Sequence, residues 1–459
     1  MEIFPIIALL GALALATVLI IRRRPDLRGG PPSPRLNRAI PRDPATGLSN
    51  RHGFIETGTK ALTRAGDRVV AVIAIDVGPE APAGAIGDVA PAITAMLPTD
   101  TLAGVVAPAQ LACLLTVESH SPNAPDQLAG RLTSLLAQQD RAAARTATIG
   151  LARSDREGNS IERLLEAADI AATVARTRGE RSLWFEKEMA VQRRARDTIA
   201  HSLPEAIESG AIAPYFEPVV DLQGGELLGF EVLARWEHPV HGTIAPAHFI
   251  DIARENNLIS DLTLSVMRQA LTAAKDWDTR LVLSVNFAVP EMRDPWLARK
   301  VIRLLTELGY PPSRLEIELT EGALMDPHGI APSIIESLKA QGVRVALDDF
   351  GTGVSSLTHL RALPFDRIKI DHSIITAMMD DPARASIADA ILRLGESLHL
   401  PIVAEGVEST RIAERLRAMG CTIGQGYLFG QPMSLMQTRR MLAEQRLIPA
   451  TVTSQRLAG

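Results

Sequence analysis

Five apolar β-type runs in this chain carry an acidic or amide residue at or near their carboxyl ends. Glu231 lies in Leu227-Leu228-Gly229-Phe230-Glu231-Val232-Leu233, and Asn286 ends Leu281-Val282-Leu283-Ser284-Val285-Asn286. Glu318 lies in Leu315-Glu316-Ile317-Glu318-Leu319, Asp348 and Asp349 follow Val343, Val345 and Leu347, and Glu405 ends Ile402-Val403-Ala404-Glu405. Two neighbouring aspartates repel each other and resist burial unless positive charge sits between them, so a strand that delivers both suggests a divalent cation. A solvated turn explains Asp348-Asp349 equally well when the pair is taken alone. Repetition over five runs favours one shared site.

From about Asp197 the chain alternates strand with helix. Tyr215–Leu222, Leu227–Trp236, Leu281–Phe287, Leu315–Thr320, Val343–Asp349, Arg367–Asp371, Ile402–Val407 and Ile423–Phe429 read as eight strands, with helical patterns such as Leu262–Trp277, Leu297–Leu308 and Ala385–Leu398 between most of them. That pattern fits an α/β chain with a (β/α)8-like TIM barrel, whose active site is built at the carboxyl ends of the strands. The polar residues above lie at or near those ends.

The amino terminus predicts a different environment. Ile3 to Ile21 is almost wholly apolar and uncharged, long enough to cross a bilayer as a helix, and Arg22, Arg23 and Arg24 follow it. A cleavable signal would carry its positive charge before the apolar run. The positive-inside rule then places the rest of the chain in the cytoplasm, as a single-pass protein of the inner (cytoplasmic) membrane. The expected organisation is a transmembrane anchor over 1–24, a Pro/Gly/Arg-rich linker over 25–42, a smaller α/β domain over 43–187, the barrel over 197–445 and a tail over 446–459.

Composition removes other classes. A formal net charge of −5 and 4% aromatic residues leave no basic or stacking footprint for polymeric nucleic acid. Cys113 and Cys421 are far apart and lack zinc or disulfide spacing, so both read as buried thiols.

Residues 205 to 440 resemble the EAL domain family of cyclic-di-GMP phosphodiesterases. The resemblance is carried by Phe230-Glu231-Val232-Leu233-Ala234-Arg235-Trp236, Asn286, Glu318-Leu319-Thr320-Glu321, Asp348-Asp349-Phe350-Gly351-Thr352-Gly353, Lys369-Ile370-Asp371, Ala404-Glu405-Gly406-Val407-Glu408 and Gln425-Gly426-Tyr427-Leu428-Phe429. It implies hydrolysis of cyclic-di-GMP to its linear form with two Mg2+ or Mn2+ ions. Glu231, Asn286, Glu318, Asp348 and Asp349 offer hard oxygen ligands for such ions, and the resemblance makes Asp348 the bridge between them. It also implies that Lys369 holds the nucleophilic water or phosphate charge, that Glu405 is a general base or second-metal ligand, and that Arg235 binds substrate phosphate. Gln425 belongs with the substrate-binding set, while Glu321, Asp371 and Glu408 support the loop or metal shell. A surface or strand-end role remains the alternative for each of these last five residues.

Two departures stand out. The usual Tyr-Gln-Pro opening reads Tyr215-Phe216-Glu217-Pro218, so Glu217 replaces the substrate-side glutamine and would repel phosphate, and Val354 follows Gly353 where an aromatic residue is common. The preceding domain resembles the GGDEF diguanylate cyclases with the chemistry removed. Asp43-Pro44-Ala45-Thr46-Gly47-Leu48 keeps the entry motif, but the signature hairpin reads Ala107-Pro108-Ala109-Gln110-Leu111, without the glycines that let phosphate approach or the acids that hold metal. A structural, regulatory or homodimer-forming role is expected there. The rival to catalysis is a receptor that binds cyclic-di-GMP, or a protein partner, without turnover.

Overall fold

The computed structural model describes residues 41–448 except 67, 79–80, 83, 100, 118–120, 140–141, 159, 241, 325–328 and 352–362. The expected span Ile3 to Ile21, its arginines, most of the tail and the Thr352-Gly353-Val354 step lie outside the described residues. Among those described, no helix is long and apolar enough to cross a membrane. The chain divides into two compact units, one ending at Ala190 and the other starting at Val191.

The first unit is a six-stranded sheet in the order β1-β3-β4-β2-β5-β6. Its strands are β1 (Ser49–Asn50), β2 (Val70–Asp76), β3 (Leu102–Ala107), β4 (Gln110–Thr116), β5 (Thr148–Arg153) and β6 (Ser182–Trp184). β2 is apolar on both faces because helices cover both. Val72 and Ala74 pack with Phe54, Leu62 and Leu164, whereas Ile73 and Ile75 pack with Ile86, Val89 and Leu132, the two-residue alternation of a strand. The helix Ile161–Arg178 presses so closely on β5 that a Cβ at Gly150 would lie 1.8 Å from the Ala168 carbonyl oxygen. At the end of β2, Arg176 pairs with Asp76 at 3.1 Å and also donates to Thr148 Oγ1, while Gln110 donates to Asp169 at 2.7 Å. Asp76, at the end of β2, is thus paired with an arginine of its own unit.

The second unit is a closed eight-stranded barrel with one short added strand. Its strands are β7 (Ile212–Asp221), β8 (Leu227–His238), β9 (Gly242–Ile244), β10 (Val282–Phe287), β11 (Leu315–Thr320), β12 (Arg344–Phe350), β13 (Arg367–Ile370), β14 (Ile402–Ala404) and β15 (Ile423–Gln425). The ladder runs β10 through β15, then β7 and β8, and a β8–β10 pairing closes it. Most neighbours are parallel, but β7 is antiparallel to both β15 and β8. The cause is local: residues 222–226 form a tight turn, with Asp221 N donating to Glu226 O, and so short a link cannot make a parallel crossover. β8 also runs past the expected Trp236 and pairs with β9, so Glu231 sits inside its strand rather than at the end. β14 and β15 end earlier than the sequence pattern suggests, at Ala404 and Gln425.

Helices ring the barrel with apolar stripes turned inward. Leu262, Val266, Met267 and Ala270 of Ile259–Ala273, and Val301, Leu304 and Leu305 of Leu297–Leu308, are buried at helical spacing. Phe216 and Phe230 meet Trp277 at ring-centroid distances of 5.1 and 5.3 Å, on the helix side of β7 and β8. Strand alternation therefore turns their neighbours Glu217 and Glu231 into the lumen.

Candidate active site

Alternation places a polar layer in the lumen. Glu318 stands between the buried Ile317 and Leu319, Lys369 between Ile368 and Ile370, and Asp348 follows Leu347. Parallel registers line these strands up, pairing Ser284 with Glu231, Asn286 with Glu318 and Thr320 with Asp348. One layer below, Arg367 pairs with Glu316 at 3.1 Å, which turns the next residues of the same strands, Glu318 and Lys369, toward the carboxyl ends.

Lys369 is the hub. Its Nζ lies 3.0 Å from Glu231 Oε2, 2.8 Å from Glu318 Oε2, 3.6 Å from Asp348 Oδ1 and 2.5 Å from Glu405 Oε1, with the lysine side chain 2% exposed. Burial alone would discharge the ammonium, yet the four carboxylates hold it well above the usual lysine range. Glu231 also receives hydrogen bonds from Asn286 Nδ2 at 2.6 Å and Gln425 Nε2 at 2.7 Å. Against the upward push of burial, Lys369 and these donors keep its carboxyl below the ordinary value.

One ammonium is not enough for the rest. Burial, then the charge of Glu231, drives Glu318 well above the carboxylate range. Glu405 is pushed up to about 8 by burial, with Asp348 and Glu231 adding to it, and Asp349 to about 6 by burial and then Asp348. Such shifts mark a lumen with more negative charge than its own cation balances, and a divalent cation would relieve them. The donor set fits: every candidate ligand is a carboxylate or amide oxygen, the preference of a hard ion. Ligand atoms of Asp348, Asp349 and Glu405 lie within 4.8 Å of one another.

Backbone geometry helps to aim them. Asp349 has φ 56°, a left-handed conformation uncommon outside glycine, and its N–H donates to Asp348 Oδ1 at 2.9 Å. Glu321 accepts from Gly351 N at 3.2 Å and so holds the turn after β12. Asp371 caps the helix His372–Ala377 through Ser373 N and hydrogen-bonds with His372 Nδ1 at 3.1 Å. Arg235 reaches over the Tyr215 ring, its Cζ 5.9 Å from the centroid, and donates to the Ala234 carbonyl. The fold thus gathers Glu231, Asn286, Glu318, Asp348, Asp349, Lys369, Glu405 and Gln425 about one point. Glu408 is exposed, Glu321 and Arg235 are half-buried, and Asp371 is buried.

Two further acids lie in this region, one that stood out in the sequence as a departure and one that carried no signal there. Glu217 faces Glu231 directly across β7 and β8, a pairing visible only once β7 is known to be antiparallel. Glu291, in the turn after β10, is 2% exposed and accepts from Ala288 N at 2.8 Å.

Residues 200–432 match the family model described as EAL domain. An uncharacterized signaling protein of Caulobacter vibrioides is 38% identical over 68% of this chain and 39% of its own length. MucR of Pseudomonas aeruginosa, described as a bifunctional diguanylate cyclase/cyclic di-GMP phosphodiesterase, is 32% identical over 71% of this chain and 49% of its own. A solved PaMucR phosphodiesterase, c-di-GMP complex, is 36% identical with a TM-score of 0.51, covering 52% of this chain and 99% of that one. Vibrio cholerae LapD S helix-GGDEF-EAL, bound to c-di-GMP, has a TM-score of 0.54 over 84% of this chain and 95% of its own; at 16% identity that likeness is one of fold. The chain spans about half or less of the length of these curated relatives.

Proposed function

Because this chain belongs to the EAL domain family, we propose that it hydrolyses cyclic-di-GMP to linear pGpG at the lumen mouth of its barrel. The observation that carries the reading is the buried Lys369 among four carboxylates, beside the hard oxygens of Asn286 and Asp349. Two Mg2+ or Mn2+ ions, held by Glu231, Asn286, Glu318, Asp348 and Asp349 with Asp348 between them, would supply Lewis-acid charge to the attacked phosphodiester.

The chain's own groups do the rest. Arg235 at the rim grips a phosphate oxygen and orients the ring. Glu405, ionised once bound cations offset the crowded negative charge around it, takes the proton of the attacking water as general base beside Lys369. Lys369 meets the negative charge that builds on the phosphoryl oxygens as the water oxygen bonds to phosphorus and one P–O ester bond breaks. The leaving oxygen takes up a proton, and the product is a linear dinucleotide. Gln425 and Asn286 hold Glu231 in place through the cycle.

The first unit is read as a degenerate GGDEF-like domain, supported by the hairpin turn at Pro108-Ala109 and by Arg176 standing against Asp76. Its role is regulatory or dimer-forming. The apolar Ile3 to Ile21 run and the arginines after it support a single-pass anchor in the cytoplasmic membrane with both domains in the cytoplasm. Incubating the purified chain with cyclic-di-GMP and Mn2+ tests the activity. Linear product sustains the hydrolase reading; tight binding without product makes the protein a receptor.

A further inference from the structure

Where the EAL family resemblance calls for a glutamine on the first barrel strand, this chain has Glu217. In the antiparallel register Glu217 stands directly opposite Glu231, so the two side chains share the lumen face at cross-strand distance. Like charges so placed repel, yet no lysine or arginine ion-pairs with Glu217 among the described residues; Lys369 and Arg235 reach it only as more distant charges. The Gln425 side chain, which donates to Glu231, lies close enough to Glu217 to favour its charged form. A carboxylate accepts, so Gln425 turns its amide nitrogen to Glu231, donating at 2.7 Å. The consequence is visible at the other end of the amide: Gln425, 4% exposed, leaves Oε1 buried with no hydrogen-bond partner. A buried orphan acceptor beside two facing carboxylates is arranged for a positive or hydrogen-donating guest, not for an anion.

We infer that Glu217 is an additional acidic wall of the cation pocket, which tightens its hold on divalent ions and weakens its hold on the anionic phosphodiester. The inference deepens the proposed function and rests on it for the identity of the substrate. The charge acts on both species at once. Opposite the candidate ligand Glu231 it adds attraction for a dication, and near Arg235 it competes with the substrate phosphate for the guanidinium. Glu217 is therefore a residue that sets affinities rather than one that takes part in bond making.

The test uses the full chain as parent, Glu217→Gln and Glu217→Asp. Glu217→Gln keeps shape and hydrogen-bonding capacity while removing the charge. Mn2+ affinity is read by titration calorimetry without nucleotide, and KM for cyclic-di-GMP at saturating Mn2+. The expected result is a Mn2+ Kd about tenfold weaker in Glu217→Gln, a KM several-fold lower, and Glu217→Asp close to the parent in both. An unchanged Mn2+ Kd, or a KM that rises, in Glu217→Gln overturns the inference. If the parent binds Mn2+ but releases no product, the hydrolase reading fails by itself. The calorimetric comparison still decides the role of Glu217, with equilibrium binding of cyclic-di-GMP replacing KM.

Discussion

The Lys369 ammonium lies 2.8 Å from Glu318 Oε2 with both side chains 2% exposed. Neither charge could be buried there alone, and the barrel depends on the pair together with Glu231, Asp348 and Glu405. Removing one partner of such a buried network leaves the others uncompensated and costs roughly 3–5 kcal/mol. Lys369→Met is expected to lower metal-free stability by about that amount in urea unfolding. Mn2+ should restore part of the loss, because an ion bound only by the native state stabilises it. Turnover should fall far more than substrate affinity. Equal unfolding midpoints in the two proteins would show the ammonium to be dispensable to the fold.

Metal removal gives a second outcome. Hard-oxygen ligands predict that excess chelator abolishes hydrolysis and lowers the melting temperature, that Mg2+ or Mn2+ restores both, and that Ca2+ suppresses activity because it takes more ligands in looser geometry. Undiminished hydrolysis in chelator would remove the ions from the reaction.

Asp348 and Arg235 separate chemistry from binding. Asp348→Asn removes charge from the proposed bridging position and should cut kcat by at least about a thousandfold, roughly 4 kcal/mol of lost transition-state stabilisation. Arg235→Ala should chiefly raise KM, by about tenfold to a hundredfold. Appreciable and equal hydrolysis by the parent and Asp348→Asn would refute the bridging assignment.

Glu291 links pH to stability away from the ligand set. Burial raises its carboxyl from 4.5 to about 7, whereas the unfolded chain titrates near the lower value. The protonated form is the one the fold favours, so its contribution is full below pH 4.5 and is lost as pH rises through about 7. The difference amounts to roughly 3 kcal/mol. Glu291→Gln should therefore be more stable than the parent at pH 8 by a few kcal/mol, about that size, with the gap closing toward pH 4.5. Urea midpoints of both proteins across that range measure it; a gap independent of pH would rule it out.

Gly150 tests the first unit. A methyl there would meet the Ala168 carbonyl at 1.8 Å, so the helix Ile161–Arg178 must move off β5. Gly150→Ala is expected to destabilise that unit by about 3 kcal/mol or more while calorimetric Mn2+ binding by the barrel keeps its affinity. A melting profile identical to the parent's would contradict the close approach.

What the sequence disclosed follows from what strands encode. Apolar runs closed by acids at barrel spacing picked out the polar residues that the lumen gathers, since in parallel strands a residue near the carboxyl end can only arrive at one rim. Direction was harder to read. The turn at 222–226 lies between two runs of like pattern, and only its hydrogen bonds reveal that β7 runs backward and brings Glu217 opposite Glu231. Strand lengths were misjudged where apolar loop residues such as Val407 and Leu428 continue the pattern past the last ladder bond. The Lys369 contacts come from strands separated by 138 residues or less, a convergence that no local periodicity carries.

The reversed β7 also decides where the polypeptide comes into the barrel. Its first residue, Ile212, pairs with Trp236, five residues beyond Glu231 toward the carboxyl end of β8. A first strand parallel to the others would begin at the closed floor. Here the incoming chain is stitched to the carboxyl-end rim instead, so the residues ahead of 212 enter the barrel beside Arg235, whose register partner is Ala213.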